Sequence, residues 1–131
     1  MVELKNLFQS ADWKLEKHVP VVEALDTVKK GEVIKVTLTV GKEIPHPNTT
    51  EHHIRWIEVY FAPEGEKFIY QIGRFEFSAH GDSAQGPNTS TVFTSPAAVC
   101  SFKTDKSGEV LASSYCNIHG LWQGAKKITV E

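Results

Sequence analysis

Val33-Ile34-Lys35-Val36-Thr37-Leu38-Thr39-Val40 decides the architecture to expect of this chain. Ile34, Val36, Leu38 and Val40 share one face of an extended backbone, and Lys35, Thr37 and Thr39 share the other. A period of two with apolar and polar residues alternating marks a strand that is half in a core and half in water. Outward from it, further extended runs lie between turns. Gly41 to Thr50 is a loop broken by Pro45 and Pro47, and a second strand is expected from about His53 to Phe61. Pro63-Glu64-Gly65 turns the chain into a third, Phe68 to Phe77, and Ala79 to Asn88, with Gly81, Gly86 and Pro87, is again a loop. Extended runs follow at Thr91–Thr94, Ala98–Thr104, Val110–Tyr115 and Lys126–Val130. Leu4, Leu7, Phe8 and Trp13 among polar residues in 1–15 suit a short helix lying on the body of the domain. About seven strands between Gly/Pro turns predict an all-β protein, an antiparallel immunoglobulin-like sandwich, with residues 1–131 as a single domain.

Composition narrows the function. The chain has 131 residues, 40% hydrophobic and 23% charged, ordinary for a soluble globular domain that buries its own core. A formal charge of −2 lacks the basic excess of a nucleic-acid binder. No apolar run reaches membrane length, and Met1-Val2-Glu3-Leu4-Lys5 does not open a signal peptide. Two cysteines, Cys100 and Cys116, point to a reducing cytoplasm rather than a disulfide framework, and a Cys100–Cys116 bridge is the alternative.

The chemistry gathers at Cys116-Asn117-Ile118-His119-Gly120, where a thiolate and an imidazole sit three positions apart in a turn. Both are good transition-metal ligands, but two do not make a site. His18, in a loop before Val19-Pro20, and His46, between two prolines, add donors; each taken alone also reads as a loop residue. His52 and His53 are neighbours, and alternation lets at most one of them face a shared centre. His18, His46, His52, Cys116 and His119 together exceed the four ligands of tetrahedral zinc. Five nitrogen and sulfur donors with one place open suit iron and disfavour magnesium or calcium. Blue copper would want an axial Met, and the one methionine is Met1. Haem and iron–sulfur motifs are absent. His80 reads as a loop hydrogen-bonder, Cys100 as a small core residue, and Trp122 as packing that shields the Cys–His turn.

Three segments carry a resemblance: Glu16-Lys17-His18-Val19-Pro20, His46-Pro47-Asn48-Thr49-Thr50-Glu51-His52-His53-Ile54, and Cys116-Asn117-Ile118-His119-Gly120. With Tyr70-Gln71-Ile72-Gly73-Arg74 and Ala79-His80-Gly81, they make the whole chain similar to the superoxide reductases of the neelaredoxin type. Their larger relatives, the desulfoferrodoxins, carry an extra four-cysteine iron domain, for which two cysteines do not suffice. The resemblance implies one mononuclear iron, with His18, His46, His52 and His119 equatorial and Cys116 axial, choosing His52 over His53. It implies one-electron reduction of superoxide to hydrogen peroxide without dioxygen. Glu16 would occupy the open position of the oxidised iron, and Lys17 would attract superoxide. A rubredoxin-like donor would return the electron, and the chain would form a homotetramer. A plain electron carrier and a metal-free interaction sandwich are the rival classes.

Overall fold

A computed structural model describes residues Met1–Glu131. It contains eight strands: β1 Pro20–Glu23, β2 Thr27–Val28, β3 Ile34–Val40, β4 Ile54–Pro63, β5 Tyr70–Glu76, β6 Ala97–Phe102, β7 Gly108–Cys116 and β8 Gly120–Val130. They form two sheets, one of three strands in the order β1-β3-β6 and one of five in the order β2-β8-β7-β4-β5. Pairing is antiparallel except between β2 and β8, where Thr27–Val28 runs parallel to Thr129–Val130. This is an immunoglobulin-like sandwich in which the first stretch of chain crosses from one sheet to the other. No helix is long and apolar enough to cross a membrane.

β3 follows the pattern its sequence dictates: Ile34, Val36, Leu38 and Val40 are buried and the residues between them are not. Opposite them lie Ile57 and Val59 from β4, Val110 from β7 and Ile128 from β8, all in one apolar cluster. Leu38 is wholly enclosed, and truncation to Ala at such a position costs about 2–5 kcal/mol. Cys116 belongs to the same cluster, at its end.

Four expectations need correction. The 1–15 segment is not a packed helix but a single 3₁₀ turn, Leu4–Asn6, with Leu4 and Leu7 exposed. Its apolar residues are too few to bury a helical face, and the chain beyond it runs along β8 instead, Gln9 bridging to Trp122. β1 and β2 were not expected, and Thr91–Thr94 holds only one bridge, His80 to Phe93. β8 starts at Gly120 rather than near Lys126, because its partner β7 pairs with it from Cys116↔Gly120 onward.

The register decides where loops meet. Pro20 at the start of β1 pairs with Val40 at the end of β3, and Ile54 at the start of β4 pairs with Cys116 at the end of β7. Gly124 of β8 approaches β1 so closely that a β-carbon there would lie 2.2 Å from the Pro20 carbonyl oxygen. The segments just before β1 and β4, just after β3, and between β7 and β8 therefore share one pole of the sandwich.

Candidate metal centre

Each of the five expected donors lies at that pole. His18 precedes β1, and its carbonyl accepts a hydrogen bond from the buried Ser114 hydroxyl of β7 at 3.2 Å. The indole of Trp122 stacks on its ring, centroids 4.8 Å apart and planes 12° from parallel. His46 stands on the loop leaving β3. Gly41 makes that exit with φ of +81°, and a β-carbon there would come within 2.6 Å of the His46 nitrogen, so glycine is required twice over. His52 precedes β4, and its N–H donates to the Thr49 hydroxyl at 3.0 Å. Cys116 ends β7 and His119 sits in the tight turn to β8, which Gly120 completes with φ of +82°.

The imidazoles make a ring of four. Centroids are 4.7 Å apart for His18–His46, 4.8 Å for His46–His52, 5.0 Å for His52–His119 and 4.7 Å for His119–His18. His18 and His52 face one another across it at 6.4 Å. Donor atoms of His18, His52, Cys116 and His119 all lie within 4.8 Å of one another; His46, at the corner opposite His119, stands outside this tightest set. His119 is exposed and Cys116 is buried, so the sulfur lies on the core side and the His119 corner meets solvent.

Hydrogen bonds aim the rings. His18 Nδ1–H donates to Glu16 Oε1 at 2.7 Å, and the same oxygen accepts from the His18 backbone N–H at 2.7 Å. His46 Nδ1–H donates to the Pro47 carbonyl at 2.6 Å. In both rings Nε2 is left with its lone pair. Nε2 of His46 and of His52 are buried without any hydrogen-bond partner. An unpartnered buried polar atom costs about 1–3 kcal/mol, so these two nitrogens call for a partner that protein atoms do not supply. His18 Nε2 and His119 Nδ1 are 3.1 Å apart. Two nitrogens bound at right angles to one ion, each at about 2.1 Å, would be separated by about 3 Å. The donor set thus fits a metal ion, with His119 presenting Nδ1 and the others Nε2.

Electrostatics favour the ligating forms. Burial pushes the His46 pKa down to about 4, and the charge of Lys17 adds to the effect. Burial also lowers His18 and His52, and the charge of Lys17 contributes to both. Burial alone would raise Glu16, but its hydrogen bonds from His18 outweigh that and keep it ionised. Glu16 itself rests against the outer nitrogen of His18, not among the inward nitrogens. The His119 N–H points at the Cys116 sulfur from 3.3 Å, a contact that tempers thiolate charge.

His53 turns away, its ring stacked on His80 at 3.5 Å, so the pair His52–His53 divides as alternation requires. Both cysteines are free, with Cys100 half-buried against the core, and no Cys100–Cys116 bridge exists. Sequence reasoning missed Gln9 and Asn117. The Gln9 amide donates to the His119 carbonyl at 2.8 Å, and Trp122 Nε1–H reaches the same oxygen at 3.3 Å. Asn117 accepts from His53 N–H at 2.8 Å and donates to the Glu51 carbonyl at 2.8 Å, stitching the Cys–His turn to the His52 segment. No pattern announces Gln9; Asn117 was visible only as a turn residue.

A sandwich of this topology carrying four imidazoles and a thiolate at one pole defines a class, and comparison identifies it. The desulfoferrodoxin family model matches residues 10–125, and the chain belongs to that family. It is 59% identical to the superoxide reductase of Pyrococcus furiosus, covering 98% of this chain and 99% of that one. It is 51% identical to the neelaredoxin of Megalodesulfovibrio gigas, covering 99% and 100%. The solved structure of superoxide reductase (neelaredoxin) from Archaeoglobus fulgidus in the reduced form superposes with a TM-score of 0.87 at 63% identity, covering 94% of this chain and 98% of that one.

Proposed function

We propose that this chain is a superoxide reductase: superoxide receives one electron and two protons and leaves as hydrogen peroxide, with no dioxygen formed. The observation that carries the reading is the pair of buried, partnerless Nε2 atoms of His46 and His52, converging with His18, His119 and the Cys116 sulfur. His18, His46, His52, His119 and Cys116 would hold one iron per chain. Iron bound there would supply a one-electron Fe2+/Fe3+ couple.

The residues do the rest. The buried Cys116 sulfur would donate electron density to a bound iron and favour its oxidised state, and the hydrogen bond from His119 N–H would limit that donation. The ionised Glu16 fixes the His18 tautomer through Nδ1–H. By the family resemblance, Glu16 would be a further ligand to the oxidised iron. Lys17 sets a positive charge near the imidazoles and draws a small anion to them. A groove of about 450 Å³ lies between β1 and β8, lined by residues such as Trp13, Val21 and Ala125. Re-reduction falls to a rubredoxin-like protein, since the chain has no flavin or nicotinamide fingerprint. Residues 1–131 acting as one iron domain, assembly as a homotetramer and a cytoplasmic location complete the proposal.

The test is metal content with the visible spectrum. One iron per chain is expected, with a sulfur-to-iron charge-transfer band in the oxidised protein that Cys116→Ser abolishes. Zinc-only binding, or a band that survives Cys116→Ser, would overturn the ligand set.

A further inference from the structure

Beyond the ring of donors, the loop joining β5 to β6 folds onto the segment that carries His46 and His52, and His80 is where the two are joined. We infer that His80 is a positioning residue for that segment, holding the chain between His46 and His52 in register so that both imidazoles stay turned inward.

His80 is buried, 6% exposed, although it lies in a loop. Its Nε2–H donates to the Phe77 carbonyl at 2.6 Å, and Phe77 N–H donates in turn to Arg55 of β4 at 2.8 Å. The ring is thereby tied to the sheet. From that anchor it meets the donor segment. The ring face lies on His53, 3.5 Å away and 6° from parallel. The backbone carbonyl of His80 accepts the Thr50 hydroxyl at 2.8 Å. Thr50 and His53 fall within or directly after the span from His46 to His52, so both contacts act on the backbone that aims those imidazoles. The rest of the loop is shaped to the same end. Gly81, at φ of +86°, has Phe93 where a β-carbon would go, 2.6 Å away, and Asn88 Oδ1 accepts from Thr50 N–H at 2.9 Å. The Cys116–His119 turn has its own supports in Gln9 and Trp122. Asn117 also ties that turn to His53, so loss of His80 falls chiefly on the half of the ring that holds His46 and His52.

The consequence for metal retention rests on the iron reading above; the consequence for the segment itself does not. Two measurements keep them apart: backbone hydrogen exchange in the metal-free chain, and the rate at which the ferrous protein yields iron to a chromogenic chelator. His80→Ala should raise exchange across 46–53 by about tenfold, the weight of one lost buried hydrogen bond, while 116–121 stays within about twofold of the parent. Iron loss should accelerate by a similar factor. Thr50→Val removes only the hydroxyl and should give a smaller rise in the same residues. His80→Gln, which keeps a donor for Phe77, should fall between parent and alanine. The inference is overturned if 46–53 exchanges as in the parent, or if exchange rises equally at 116–121. If His80→Ala does not fold, an unchanged 46–53 in both Thr50→Val and His80→Gln overturns it. A parent chain that takes up no iron would sink the iron reading and leave the exchange arm to decide.

Discussion

A single imidazole shows how this site is prepared for a metal before one arrives. His46 is neutral well below physiological pH because burial, and after it the neighbouring His18, His52 and Lys17, disfavour its cation, while the Pro47 carbonyl fixes which nitrogen carries the proton. Neutrality has a thermodynamic consequence. Unfolded, the ring titrates at its ordinary 6.5; folded, at about 4. Between those values the unfolded chain binds more protons, so stability rises with pH. The contribution is complete above pH 6.5 and is lost as pH falls towards 4; His18 and His52, also lowered, act in the same direction. The melting temperature of the metal-free protein should therefore drop as pH is taken from 7 to 4, most steeply below 6.5. A flat profile over that window would contradict the assignment. At this scale the sequence was highly legible. His18, His46, Cys116 and His119 stood out as candidate donors by residue type, whereas alternation left His52 and His53 open and only the resemblance chose between them. Gln9 was not legible, and His80 was legible only as a loop hydrogen-bonder, because what they contribute joins loops far apart in the chain.

Among the elements, the β7–β8 hairpin does most to build the site. Cys116 and Gly120 face each other in register, and the three residues between them put an imidazole beside the sulfur. The left-handed Gly120 is what permits so tight a return. Only the Gln9 amide, 3.9 Å away, would meet an added methyl, so the cost of Gly120→Ala is conformational rather than steric. It should destabilise the fold by about 1–2 kcal/mol, measurable as a shift in the denaturation midpoint, and weaken metal retention. An alanine variant as stable as the parent would contradict this account of the turn. Alternation revealed β3, and turn residues on either side marked out β4 and β7. β1 and β2, of four and two residues, are too short to show one. The first half of β8 was missed because Gly120 and Gly124 suggest turns; it is a strand because β7 supplies a partner along its length.

Taken whole, the molecule presents an electrostatic puzzle. A chain of net charge −2 is not, on balance, attractive to an anion. Capture of superoxide must therefore depend on a local field, and Lys17 is the cation whose influence reaches His18, His46 and His52. Lys17→Ala should slow the second-order reaction with superoxide several-fold and flatten its dependence on ionic strength, as followed by pulse radiolysis. An unchanged rate would remove Lys17 from the mechanism. The two sheets bring five candidate donors from four separate stretches of chain to one pole, an arrangement that follows from register and not from any local motif.

The central claim concerns what becomes of superoxide at that pole. The direct measurement mixes iron-loaded, reduced protein with a known amount of superoxide under anaerobic conditions and quantifies hydrogen peroxide and dioxygen together. One peroxide for each superoxide consumed, with oxidation of the iron and no dioxygen, is the predicted result. Dioxygen released alongside peroxide would make the protein a dismutase, and superoxide left unconsumed would make it a carrier; either contradicts the account.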